Sequence, residues 1–272
     1  MAPKRSRKDV DAATSSAVAY DKKVFVSKNA HKHYMLAVEK NKAWVQERGI
    51  DMNMHHPYPR LMHIIEKRHW MKFCEQPGPA VTSVVREFYA NATESVNFMV
   101  KVRGVNVSYY AAAINAFYEL QDIEDDAYSR SEDNLDPDAI LGVVGSRGAT
   151  WRFNENPHQL TMESKYMDYE MKTWHRFVGA KLLPTKHFAT IDIHCANLIR
   201  AIAAQGCETI NVGWVIQNSI MRSVQNTQLG FYHGHLITEL CRCAGVRIRS
   251  NEEVLQPMHV IDRNTIARFQ KQ

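Results

Sequence analysis

Residues 80–91, AVTSVVREFYAN, carry the clearest structural signal in the first half of the chain. Their apolar side chains recur at the i, i+3, i+4, i+7, i+8 spacing that places them on one face of an α-helix. These side chains are Val81, Val84, Val85, Phe88 and Tyr89. The stretch therefore predicts an amphipathic helix that packs one face into a core, and it favours a helical domain.

The chain that follows this helix predicts a β-hairpin. Apolar residues alternate with polar ones over 96–102 and again over 105–107. Arg103-Gly104 lies between the two runs, where a short turn containing glycine is expected. We therefore expect two short antiparallel strands immediately after the first strong helix.

Most of the remaining chain shows helical periodicity. Ser108 and Thr161 stand where an N-cap residue is expected before an apolar run. Phe88, Trp174, Leu198 and Leu240 are expected to be buried. The predicted helices cover residues 28–48, 60–74, 109–120, 161–179, 189–204, 213–225, 234–244 and 262–270.

The expected fold is mainly α: a multi-helix globular domain with one small β-hairpin, preceded by a flexible basic N-terminal arm. Strands and helices do not alternate as a parallel sheet would require. Residues 1–20 are expected to be a disordered basic tail, 21–59 a basic arm with helical potential, and 60–272 the helical domain. The acidic segment 119–138 is predicted to be a loop, and 246–249 a short strand.

Positive charge is concentrated near the N-terminus. Residues 1–70 hold 14 Lys and Arg against 7 Asp and Glu, whereas residues 119–138 hold 9 acidic residues against Arg130 alone. A basic arm attracts nucleic acid or an import receptor.

No stretch approaches 18 uninterrupted apolar residues, so we expect no transmembrane helix and no membrane partner. A short cluster resembles a nuclear-import signal, with a solvated tail as the alternative: Lys4, Arg5, Arg7 and Lys8.

Residues that could perform catalysis or bind a metal do not form a recognisable set. The G-x-S-x-G pattern and the phosphate-binding glycine patterns are missing from the sequence. The two histidines and two cysteines of 233–243 are spread along one predicted helix, too far apart to surround one zinc ion. We therefore predict no catalytic residue, no metal and no cofactor.

One basic patch in the folded part is a candidate contact for nucleic acid. Arg242, Arg247 and Arg249 follow one another closely after the last strong helix. Aromatic residues next to basic ones would allow bases to stack, but none alternates with these arginines. The patch is therefore a candidate on charge alone.

Six segments in a fixed order carry a resemblance to a known family. They are VREFYAN (85–91), VRGV (102–105), AIN (113–115), LLPTKH (182–187), INVG (210–213) and LITELCRCAGV (236–246). Together they resemble the plant transposon protein domain, over residues 60–265. The resemblance implies a retroelement-derived protein, and it supplies no catalytic residues to transfer to this chain.

The favoured hypothesis is a non-enzymatic plant retrotransposon-derived protein that acts by self-association or nucleic-acid association. Its expected location is the nucleus, or otherwise the cytoplasm. Its expected partners are nucleic acid, itself or other retroelement proteins, and an import receptor bound by the basic cluster. A first alternative is a nucleic-acid-processing enzyme of a transposition machinery, which would need three carboxylates around two metal ions. A second alternative is a domesticated remnant that serves as a protein-interaction module.

Overall fold

The computed structural model describes residues 20–39, 42–54, 58–154, 159–204, 208–226 and 228–271. The predicted disordered tail lies almost wholly outside these described residues. Within them the chain forms helices α1 (Lys28–Glu39), α2 (Pro59–Lys67), α3 (Met71–Cys74), α4 (Thr82–Asn91), α5 (Ala111–Phe117), α6 (Ala127–Glu132), α7 (Pro137–Val144), α8 (Tyr169–Lys181), α9 (Ile193–Ala203), α10 (Val212–Gln225), α11 (Gly234–Cys243) and α12 (Arg263–Gln270). The strands are β1 (Ala80–Val81), β2 (Met99–Val102), β3 (Val105–Ser108), β4 (Arg152–Asn154), β5 (Gln159–Glu163), β6 (Thr190–Asp192) and β7 (Val254–Leu255).

Helix α4 packs into the core, as its sequence predicts, and eight of its ten residues are buried. It packs against α1, α11 and β2. The predicted core residues Phe88, Trp174, Leu198 and Leu240 are all buried. One large cluster of buried apolar side chains includes all four of them, so the amphipathic periodicity identified the core faces correctly.

The predicted hairpin is confirmed. Strands β2 and β3 pair antiparallel, with Met99 opposite Ser108 and Val102 opposite Val105. Arg103 and Gly104 form the turn, and both have positive φ angles, 49° and 82°. This left-handed backbone suits the two-residue turn that joins strands of right-handed twist.

The prediction of a single hairpin is wrong, because the described residues form two further antiparallel sheets. Strand β1 pairs with β7, which places Ala80 opposite Leu255. Strands β4, β5 and β6 form a three-stranded sheet in that order. These strands are two to five residues long. Segments this short show too little alternation for a sequence to reveal which distant segment they pair with.

The helix predicted to begin at Thr161 begins eight residues later. Thr161 lies in β5 opposite Asp192 of β6. Helix α8 starts after Asp168, whose Oδ1 accepts a hydrogen bond of 2.8 Å from the backbone N–H of Met171. Aspartate and threonine are both good N-cap residues. Because Thr161 is paired in the sheet, Asp168 is the residue that caps the helix.

Other boundaries also differ from those predicted. The helix expected over 60–74 is interrupted at His69, where φ is 55°. Ser108 ends β3 and does not cap α5. The acidic segment 119–138 is not all loop: it contains α6 and the start of α7, whose first turns donate hydrogen bonds to the carboxylates of Asp126 and Asp136. No strand forms over 246–249, which are among the described residues.

One ion pair is buried within the core. The side chains of Glu47 and Lys181 are 3% and 2% exposed, and Oε2 of the glutamate lies 3.9 Å from Nζ of the lysine. Oε1 of Glu47 accepts hydrogen bonds from the backbone N–H groups of His235 and Leu236. A segment that precedes α2 is thereby joined to the end of α8 and to the first turn of α11.

Helix α8 organises the region described next. It packs against α9 on one side and α12 on another. The connection from α8 to α9 runs through residues 182–189 and strand β6. Among the described helices, none is both long and apolar enough to cross a membrane.

Candidate nucleic-acid interface

A large cleft lies beside the connection between α8 and α9. Its volume is about 500 Å³, within the usual range for ligand sites. Lys186 and Arg222 bring positive charge to its lining, and three histidines also line it. These are His175, His187 and His194.

A small cleft of about 290 Å³ adjoins the large one. Lys172, His175 and Arg176 line it from α8, because residues three and four apart share one face of a helix. Phe188 and Phe269 provide aromatic lining from the α8–α9 connection and from α12. His175 lines both clefts, so the two are neighbours on either side of this buried side chain.

The guanidinium of Arg176 lies against two aromatic rings in the small cleft. Its central carbon is 4.2 Å from the ring centroid of Phe188 and 5.8 Å from that of Phe269. Gly179 allows this packing, because a Cβ atom there would lie 2.5 Å from an atom of the Phe188 ring. The rings hold the guanidinium in place by cation–π attraction and contribute no negative charge to it.

Four cations in the two clefts lack a carboxylate partner within 4.0 Å among the described residues: Lys172, Arg176, Lys186 and Arg222. Two carboxylates also line the clefts, Asp192 the large one and Glu163 the small one. Glu163 pairs with Arg152 and Lys165, and Asp192 caps α9. A capping hydrogen bond leaves the negative charge of Asp192 in place, but the two clefts are lined by five Lys and Arg side chains against two carboxylates, so positive charge is in excess.

More positive charge lies close to Arg176. Burial lowers the pKa of the Arg48 guanidinium, and the charges of Arg176 and Arg268 lower it further. The Asp262 carboxylate acts in the opposite direction. Arg48 is therefore close to two other guanidinium groups, whose charge Asp262 offsets in part. Such a group favours binding of an anion, and phosphate is the anion to which arginine forks are best matched.

His194 at the rim of the large cleft is held by a carboxylate. Its Nδ1 lies 2.8 Å from Oε2 of Glu132. This hydrogen bond raises the pKa of His194 above its usual value. His175 and His233 differ, because burial lowers the pKa of each to about 4.

Acidification is expected to destabilise the protein through these two buried histidines. The unfolded chain binds protons at these residues below about pH 6.5, whereas the folded chain does so only near pH 4, so stability falls as the pH decreases between those values. Each histidine is expected to cost about 2 kcal/mol at pH 5. The pKa of His194 is raised instead, so protonation of this residue favours the folded protein. Because its side chain is half exposed, this effect does not cancel the loss from the two buried histidines. Urea unfolding at about pH 7.5 and pH 5 measures the change, and equal stability at the two values would contradict it.

The sequence-derived basic patch lies elsewhere, at the C-terminal end of α11. Arg242 forms an ion pair with Glu239. The backbone carbonyl of Arg247 accepts a hydrogen bond from Arg103, and the backbone N–H of Arg249 donates to Glu252. None of these three arginines lines either cleft. The import-signal cluster Lys4, Arg5, Arg7 and Lys8 lies outside the described residues.

Three acidic residues in the second half of the chain have structural roles, and none is placed as a transposition enzyme would need. Asp192 and Asp262 cap α9 and α12. Glu208 forms an ion pair with Arg200, with Oε1 2.6 Å from the guanidinium. In the described part of the chain, no group of three or more His, Cys, Asp or Glu side chains is placed to hold a metal ion.

Comparison with known protein families identifies most of this chain. Residues 66–247 match the family described as "Putative plant retrotransposon-related domain". The chain belongs to this family. No match was found among the curated proteins or among the solved structures. The expected plant transposon relationship is thereby confirmed.

The retrotransposon-related domain contains most of both clefts. It extends from Glu66 near the end of α2 to Arg247 after α11, and so includes α8 and the α8–α9 connection. Phe269 and Arg268 lie beyond the matched residues. The LLPTKH segment at 182–187 is one of the six segments that carried the family resemblance, and four of its residues line the large cleft besides Lys186: Leu183, Pro184, Thr185 and His187.

Sequence reasoning missed this interface. Lys172 and Arg176 belong to a helix whose periodicity indicates the core, and the two phenylalanines lie 81 residues apart in the chain. One signal was present: Lys172 and Arg176 form an i, i+4 pair of cations on α8, on one face of the helix. Lys172 in that helix is almost fully buried. Such burial is unusual for a lysine that has no carboxylate partner among the described residues.

Proposed function

We propose that this protein is a non-enzymatic, retrotransposon-derived protein that binds nucleic acid through the two clefts. The observation that carries the proposal is the set of four cations without carboxylate partners among the described residues, two of which, Lys172 and Arg176, share a cleft with Phe188 and Phe269. Lysine and arginine contacts to phosphates supply most of the sequence-independent affinity for nucleic acid. Aromatic rings beside such cations are typical of nucleic-acid-binding surfaces.

The arrangement distinguishes the clefts from an ordinary charged surface. An exposed lysine is normally solvated and often lies near a carboxylate. Lys172 and Arg176 are instead partly withdrawn from water, and burial lowers the pKa of Arg176. A bound phosphate would supply the missing counter-charge and recover part of the desolvation cost.

The double variant Lys186→Ala/Arg222→Ala tests the proposal. Both side chains are exposed, so the fold should tolerate the change. We expect affinity for a nucleic acid of about 12 nucleotides to fall about 10-fold at low salt. The slope of log K against log salt should decrease in magnitude by roughly 0.7–0.9 for each phosphate that the variant no longer neutralises. Fluorescence anisotropy at about 50 and 200 mM salt measures both quantities.

The matched control removes the same amount of charge from the sequence-derived patch. Arg247→Ala/Arg249→Ala should leave affinity and salt slope close to those of the unmodified protein. A loss of affinity in this control with no loss in the cleft variant would contradict the proposal and favour the patch at the end of α11. Thermal unfolding of both variants verifies that neither has lost its fold.

The nucleus is the proposed location of this activity. The support is the basic cluster Lys4, Arg5, Arg7 and Lys8, whose sequence resembles an import signal. Fluorescent fusions of the full chain and of a chain with these four residues changed to alanine would test this part in cells. Equal distribution of the two fusions would remove the support for nuclear import.

A further inference from the structure

The shape of the clefts restricts the form of nucleic acid that can reach their cations. Arg176 lies close to two phenylalanine rings, those of Phe188 and Phe269, and is partly buried. Lys172 has 9% of its surface exposed. A duplex carries its phosphates on the outside of a wide, stiff cylinder with its bases paired inside. Such a cylinder can touch the rims of the clefts but cannot enter them.

The large cleft also offers groups that suit an unpaired base. The side-chain amides of Gln159 and Gln228 line it, and no hydrogen bond to either amide is seen within the part of the chain that the structure describes. An amide presents both donors and an acceptor, as the edge of a base requires. Leu183 and Pro184 add apolar lining against which a base face can pack. A duplex, whose base edges are already paired, uses none of these groups in this way.

The two clefts are neighbours, close enough together for one flexible backbone to reach the cations of both. His175 lines both, and Arg176 follows it on α8. Lys186 and Arg222 belong to the large cleft, whereas Lys172 and Arg176 belong to the small one. A single strand can therefore place phosphates on both pairs of cations while one base enters the large cleft.

We infer that the clefts bind single-stranded nucleic acid, with one unstacked base in the large cleft and the flanking phosphates on the cations of both clefts. This inference rests on the proposed function, because it specifies the substrate of the same site. It makes a prediction that nucleic-acid binding alone does not make: removing the base, or blocking the space for it, weakens binding even though every phosphate can still reach its cation.

The experiment compares four probes by anisotropy or competition at one salt concentration: a single strand of about 12 nucleotides, the same strand without bases, a duplex of the same length, and inorganic polyphosphate. We expect the intact single strand to bind at least about 10-fold more tightly than the duplex. Loss of the bases should weaken binding by about 5-fold to 100-fold, since a stacked base contributes roughly 1–3 kcal/mol.

A variant that fills the large cleft provides the matching test on the protein side. Thr190 lines this cleft and is exposed. Thr190→Trp should weaken binding of the intact strand by about 10-fold and leave polyphosphate binding unchanged, because the cations are still present. Asn106→Trp, at an exposed position of the β2–β3 hairpin, is the control. It should change neither the affinity for the intact strand nor the affinity for polyphosphate.

The possible results separate this inference from the proposed function. If duplex and single strand bind with equal affinity, and the Lys186→Ala/Arg222→Ala variant loses the same amount of affinity for both, the single-strand inference is overturned and the proposed function is supported. Equal affinity for strands with and without bases would overturn base insertion. Absence of binding to all four probes at low salt would overturn both proposals.

Discussion

Replacing Glu47 with alanine is expected to lower the free energy of unfolding by about 3–5 kcal/mol, the usual cost of breaking a buried ion pair. The change leaves the Lys181 ammonium in the core without its counter-charge. Its Nζ otherwise contacts the rings of Phe73 and Tyr118, 5.5 and 5.1 Å from their centroids. Burial already lowers the pKa of Lys181, and Glu47 opposes that effect.

The change also removes two hydrogen bonds at the start of α11. The N-cap position of this helix is His233, which makes no capping hydrogen bond with its side chain. The carboxylate of Glu47 takes that place from outside the helix. Urea unfolding measures the decrease in free energy.

Two further variants test this interpretation. Glu124→Ala removes an exposed carboxylate and should change stability by less than about 0.5 kcal/mol. In the double variant Glu47→Ala/Lys181→Met, no unpaired charge remains, so the loss of stability should be at least about 1 kcal/mol smaller than the sum of the single losses. Additive losses would show that the ion pair contributes nothing beyond the hydrogen bonds of Glu47.

Replacing Trp174 with alanine is expected to cost about 3–5 kcal/mol of unfolding free energy. The side chain is fully buried in α8 and packs edge-on against Phe177, with ring centroids 5.9 Å apart. Its indole N–H has no hydrogen-bond partner among the described residues. The expected decrease in stability therefore comes from poorer packing and the cavity that remains, not from a broken hydrogen bond.

The chain contains a matched control for this change. Trp214 in α10 is 37% exposed, so Trp214→Ala should cost about 1 kcal/mol or less. Urea unfolding of the two variants gives the comparison. Similar decreases at the two positions would mean that the side of α8 bearing Trp174 is not part of a tightly packed core.

The expected decrease in stability at position 174 bears on the candidate interface as well. Trp174 stands between Lys172 and Arg176 in α8, and its side chain anchors that helix in the core. A cavity beneath α8 would allow the helix to shift relative to α12, where Phe269 lies. Nucleic-acid affinity of Trp174→Ala should therefore be interpreted only at temperatures where the variant remains folded.

Helical periodicity allowed much of the core to be predicted. Helices α4, α9, α10 and α11 appear near the expected positions, because long apolar faces are a local property of the sequence. The β2–β3 hairpin was predictable for the same reason, since its strands are joined by a two-residue turn. Phe88 and Leu198 could be assigned to the interior from spacing alone.

Elements that depend on distant partners could not be predicted in this way. Strand β1 is two residues long and pairs with β7, more than 170 residues later. The start of α8 depends on whether Thr161 joins a sheet, and that sheet includes β6 from beyond the helix. In each case the local sequence is compatible with more than one type of secondary structure, and burial against a remote segment determines which of them forms.

The sequence by itself determined the helical character of this protein, its family, its main core residues and the basic character of its N-terminal region. Each of these depends on composition, on order or on spacing within a few turns of helix. Only the tertiary structure decided where excess positive charge collects. Lys172 and Arg176 line one cleft with Phe269 from the end of the chain, and whether a cation has a carboxylate neighbour depends on distances in space. The candidate interface arises from that three-dimensional arrangement.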